Sequence, residues 1–135
     1  MISKPFKIEH LDIINPKTGD TEEIKQNISE SEYAYTFIKD DRIIFCCGIF
    51  LVTKGVGICW VVPSIYVDKY ARTFYLTIKN LLLEYRSIMN LHRIHTMVDD
   101  KFTNWIEKLG FYREATLKQI TSDKKDQHLY VRLWQ

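Results

Sequence analysis

Lys69 and Arg72 stand three residues apart at the start of the longest apolar-periodic stretch of the chain, a spacing that lets two cations face one anion such as a phosphate. Asp68 works against that use by setting a carboxylate beside the anion. The residues able to take a proton are His95, Asp99, Asp100 and Glu32, and those able to give one are Tyr85, Tyr112 and Tyr130. Each also has a plainer reading. His95 shares a strand face with Met97 and reads as a partly buried histidine held by one hydrogen bond. Asp99 and Asp100 precede a helix, where Asp100 best fits the cap. The tyrosines read as core or interface aromatics, and so do Trp60, Trp105 and Trp134. Cys46, Cys47 and Cys59 lie in apolar runs without metal-ligand spacing and are expected as reduced, buried thiols. No Ser-His-Asp arrangement, zinc spacing or P-loop occurs in the sequence, and no metal site is expected.

The elements that position these residues follow from periodicity. Residues 6–11 suggest a first strand, and 15–20, with Pro16 and Gly19, a break. Thr21 is placed to cap a short helix to residue 28, with Glu22 and Glu23 in its first turn. Alternation over 32–39, the turn Asp40-Asp41, an apolar run over 42–53, the turn Lys54-Gly55 and a run over 56–62 predict three antiparallel strands. Residues 43–50 are apolar on both faces, which predicts a strand covered on both sides. Pro63 has no N–H for a ladder and ends that run. Val67, Ala71, Phe74, Ile78, Leu82 and Tyr85 then recur at three and four residues, predicting a helix over about 68–90 with Asp68 at its start. A strand over 93–98, a helix from Asp100, and strands over 112–120 and 128–134 complete the order.

The totals bound the class. At 135 residues, 46% apolar and 13% aromatic, the chain suits one globular domain with a real core. A net charge of +2 is too small to imply nucleic-acid binding. No window reaches the ~18 apolar residues of a membrane span and the N-terminus lacks a signal-peptide core, so a cytoplasmic protein is expected.

The tail Glu107-Lys108-Leu109-Gly110-Phe111, where Gly110 takes the left-handed stop, resembles the end of a Gcn5-related N-acetyltransferase (GNAT) domain. The element order is similar too. The resemblance implies one α/β (α+β) domain over 1–135, a mixed, mostly antiparallel sheet with splayed fourth and fifth strands, flanked by helices. It implies acetyl-CoA as cofactor, its pyrophosphate at the start of the long helix, over Val61, Val62, Lys69, Tyr70, Ala71 and Arg72. The family's loop of Gln or Arg, two residues, Gly, one residue, then Gly or Ala matches residues 66–71 only at Ala71, and the glycine before it is missing. Where many GNAT enzymes carry a tyrosine acid, two positions before the lysine of the tail, this chain has Ile106. Cys59-Trp60-Val61-Val62, Leu83-Glu84-Tyr85-Arg86 and residues 104–110 further resemble GNAT-like internal virion or assembly proteins of short-tailed lytic bacteriophages. Two functions follow as expectations. One is acetyl transfer to an unidentified amine. The other is a catalytically silent GNAT fold that acts in phage particle assembly or binds a host protein.

Overall fold

The computed structural model describes residues 1–17, 22, 24, 25, 28 and 33–134. The expected cap at Thr21, its neighbour Glu23, and Glu32 lie outside the described residues. The first strand, β1, is Ile2–Pro5 and pairs antiparallel with β2, Tyr35–Lys39. The strand expected over 6–11 is instead a turn leading into the short helix α1, His10–Ile13. The amides of His10, Leu11 and Asp12 bond to the carbonyls three residues back, and the Lys7 amide donates to His10 Nδ1. These local partners take the donors that a strand ladder would need. Phe6 and Leu11 are nonetheless core residues, as their apolar character requires.

The turn Asp40-Asp41, with φ of 52° and 59°, is the left-handed pair that a tight hairpin demands, and it leads into β3, Arg42–Thr53. Ile44 through Ile49 are all buried, so this strand is covered on both faces as expected. Lys54-Gly55 turns the chain into β4, Val56–Pro63. A single 3-10 turn, Val67–Tyr70, precedes the long helix α2, Ala71–Met89, which buries Phe74, Ile78, Leu82 and Tyr85 at helical spacing. Asn90, at φ 51°, stops it, with the Leu91 amide bonded to the Arg86 carbonyl.

Strand β5, Arg93–Val98, runs parallel to β4, the register pairing Val56 with Arg93, Gly57 with Ile94 and Ile58 with His95. Another 3-10 turn, Asp100–Phe102, opens the helix α3, Thr103–Lys108. Gly110, at φ 89°, closes it, and the buried Phe111 returns its amide to the Ile106 carbonyl at 3.4 Å. Strands β6, Tyr112–Leu117, and β7, Gln127–Leu133, are antiparallel, and the seven strands lie in the order β1-β2-β3-β4-β5-β7-β6. The sheet is mixed, with β4 and β5 the parallel pair.

Residues 1–50 and 60–81 form one compact unit, and residues 51–59 and 82–135 another. Phe6, Leu11, Ile14, Ala34, Cys46 and Val62 make a core cluster in the first. Ile94, Ile106, Leu109, Tyr130 and Val131 are buried in the second. Among the described residues, no helix is long and apolar enough to cross a membrane.

Candidate functional site

The end of β4 and the turn into α2 are where an anion would be held. Ser64 is fully buried and its amide donates to the Ile44 carbonyl of β3 at 2.9 Å. Backbone groups alternate sides along a strand, so Pro63 C=O and Ile65 N–H point to the opposite edge. There the segment 15–17 lies antiparallel, with Lys17 N–H donating to Pro63 O at 2.9 Å and Ile65 N–H to Asn15 O at 2.8 Å. Lys17 Nζ then bonds both carboxylate oxygens of Asp68, at 2.6 and 2.8 Å. The remaining loop donors fold inward. Tyr66 N–H donates to Ser64 Oγ, Val67 N–H to Ser64 O and Lys69 N–H to Tyr66 O, each at 3.2 Å.

The side chains expected at this site fall into three groups. Val62 is buried in the core cluster and Val61 is partly exposed. Tyr70 donates its hydroxyl to Asp40 at 2.5 Å, which pushes the tyrosine pKa up and the aspartate pKa down. Lys69 and Lys39 approach the Tyr70 ring, at 5.5 and 5.9 Å from its centroid. Ala71 and Arg72 are exposed on the first turn of α2. Asp68 does not cap that helix; it is exposed and serves as the anchor for Lys17.

The proton-transfer candidates disperse. Asp99, rather than Asp100, caps the next helical segment, accepting from Lys101 N–H at 3.1 Å, because its backbone is the extended one at the turn entry. Asp100 instead meets His128 Nε2 at 2.5 Å, while His128 Nδ1 lies 2.9 Å from Thr116 Oγ1. Tyr130 is fully buried and donates to Glu107 at 3.0 Å, and Tyr85 is buried on α2. Tyr112 is half exposed on β6. Ile106 is 4% exposed, a core residue of α3 with no proton to give. His95 accepts from Arg93 Nε through Nδ1 at 3.3 Å, so its ring proton sits on Nε2. Burial, then the Arg93 charge, lowers its pKa, while Glu114 acts in the opposite sense. Glu114 clamps Arg93 with two bonds of 2.9 and 2.6 Å, a pair that no sequence spacing announced.

No protein-family model matches the chain, and no curated protein matches it in sequence. Solved structures do. Ard1 from Thermoplasma volcanium superposes with a TM-score of 0.74 at 11% identity, over 99% of this chain and 97% of that one. A GNAT-family acetyltransferase from Bacillus anthracis gives 0.69 at 14% identity, over 97% and 93%. The chain has the GNAT fold. Ribosomal-protein-S5-alanine acetyltransferase from Vibrio fischeri gives 0.64 at 16%, over 97% and 91%. Nothing in these names bears on a phage.

GNAT folds imply acetyl-CoA, and the fit can be tested on the loop amides. A pyrophosphate cradle needs N–H groups aimed outward at the helix start. Here the amides of Ser64, Ile65, Tyr66, Val67 and Lys69 are all bonded within the protein. These five amides are therefore not available to a GNAT pyrophosphate cradle as arranged, while Lys69 and Arg72 offer exposed side chains beside it.

Proposed function

We propose that this chain is a GNAT-fold protein that is silent in acetyl transfer and acts by binding a protein partner. The engagement of loop amides by Ser64, Tyr66 and the 15–17 segment carries the reading, since it occupies donors that a cofactor loop at this place would offer. Ile106 in place of an acid, and Tyr130 tied to Glu107, support it. A role in phage particle assembly, or in binding a host protein, is the one that the resemblance of residues 59–62, 83–86 and 104–110 suggests. A second reading, acetyl-CoA-dependent N-acetyl transfer, is favoured by the near-complete overlap with acetyltransferases and by the exposed cations Lys69 and Arg72.

Thermal melting with acetyl-CoA and with coenzyme A separates the two. A ligand at ~100 times its dissociation constant adds about 2.7 kcal/mol of stability. The silent reading expects an unchanged melting temperature at millimolar ligand. A rise of several degrees, reduced by Lys69→Ala with Arg72→Ala, would replace it with the enzyme.

A further inference from the structure

A cavity of about 260 Å³ opens on the first unit, its wall including neither Lys69 nor Arg72, and four segments bring polar groups to it: Lys4 from β1, His10 from α1, Arg42 from β3 and Tyr66 from the loop after β4. We propose that it binds a small organic anion, a carboxylate or phosphate carried on a compact apolar body.

The charge balance favours an anion. Lys4 and Arg42 both line the cavity, and among the described residues neither has a carboxylate partner within ion-pair distance. Asp41 is the one carboxylate on the wall, so the two cations leave an excess of positive charge. The Arg42 guanidinium lies 4.7 Å from the centroid of the Tyr66 ring. That contact restrains the guanidinium, whose fork of N–H groups suits two oxygens at once.

His10 is a wall residue whose ring is held in place. Only 8% of it is exposed, and its Nδ1 accepts the Lys7 amide at 3.1 Å and lies 2.7 Å from Thr36 Oγ1. An amide can only donate, so the ring proton is on Nε2. Thr36 in turn lies 3.4 Å from Cys46 Sγ in the core, so the imidazole is anchored from behind. Asn15 adds one more polar group, and the rest of the wall is apolar: Ile13, Ile38 and Ile43. A volume just under the usual ~300 Å³ lower bound of ligand pockets sets the size of the body at about one ring.

The test uses the full chain, with benzoate, phenyl phosphate and inorganic phosphate as probes, following the imidazole proton signals of His10 by NMR. Benzoate or phenyl phosphate is expected to give a saturable shift at lower concentration than inorganic phosphate, and whichever binds more tightly names the anionic group. Arg42→Gln should weaken binding at least about tenfold, Arg42→Lys less, because it keeps the charge and loses the fork. Lys4→Gln should weaken it as well. Lys69→Ala with Arg72→Ala should leave it intact, so the result stands apart from any coenzyme A binding. Variants are compared only where their melting temperatures match the parent. Absence of a saturable shift with all three probes, or a shift that survives both Arg42→Gln and Lys4→Gln, would overturn the proposal.

Discussion

Desolvation makes Cys46, and the part-buried Cys59, chemically quiet. Desolvation pushes the Cys46 thiol up to about 11 and Cys59 up to about 12, against weaker lowering by hydrogen bonds to Thr36 and Thr96. Iodoacetamide at pH 8 is therefore expected to leave both unmodified in the native protein and to alkylate them in denaturant; labelling of either in the native state at the unfolded rate would contradict the assignment. The second prediction concerns the Arg93 cluster. Glu114 has its pKa lowered, first by its hydrogen bonds from Arg93, and His95 has its own lowered, first by burial. In both cases the folded state binds its proton less readily than the unfolded state. The associated stability is present above the ordinary values, near 4.5 for Glu114 and 6.5 for His95, and is lost as pH falls through the folded values. Urea midpoints measured from pH 7 downward should fall less steeply in His95→Gln from pH 6.5, and in Glu114→Gln from about pH 4.5; parallel curves would sink the linkage. At this scale the sequence named the right residue types and not their partners. His95 was legible as a half-buried histidine, yet Arg93 and Glu114 are 21 residues apart and meet only because β5 and β6 flank β7.

Elements were legible where a single period ran long enough. Strand β3 matches its expected range because both turns beside it carry residues suited to left-handed backbone, and α2 because its apolar spacing persists for five turns. The region before β2 was not legible. Phe6 and Ile8 alternate like a strand, while the His10 ring and i+3 bonds settle the backbone as a turn. The 15–17 segment read only as a break, since nothing in its residues reveals that it will pair with Pro63 and Ile65. Gly48 is a different case, a position whose demand is spatial. A Cβ there would stand 2.8 Å from the Trp60 ring and 2.9 Å from the Ala34 Cβ. Trp60 itself packs edge-on against Phe6 at 5.0 Å, so it has little room to yield. Gly48→Ala is expected to destabilise by about 1–3 kcal/mol in urea unfolding. Combined with Trp60→Leu it should cost less than the sum of the two changes, because the clash with the ring disappears with the indole while that with the Ala34 Cβ remains. Strict additivity would show that the ring is not what Gly48 accommodates.

For the whole molecule, the fold was legible from the Gly110 stop and the element order, while the state of the loop before α2 was not. A missing glycine can be read from a sequence; that the Ile65 amide is taken by Asn15, some fifty residues earlier, and those of Tyr66 and Val67 by Ser64, cannot. The two compact units raise a question of cooperativity that the chain path answers. β3 passes from one unit to the other at Phe50–Leu51, β4 at Cys59–Trp60 and α2 at Leu81–Leu82. Unfolding either unit breaks three elements in mid-course, and a helix or strand cut there loses its hydrogen bonds without releasing all of its residues. The units are therefore expected to unfold together. Trp60 reports on the first, Trp105 and Trp134 on the second. Single-tryptophan variants followed by fluorescence should give one urea midpoint, coincident with loss of helix by circular dichroism. Leu11→Ala in one core and Leu109→Ala in the other, each worth about 2–5 kcal/mol, should move every reporter by the same amount. A variant that shifts only the tryptophans of its own unit would mean that the shared strands and helix do not transmit stability, and that the units melt independently.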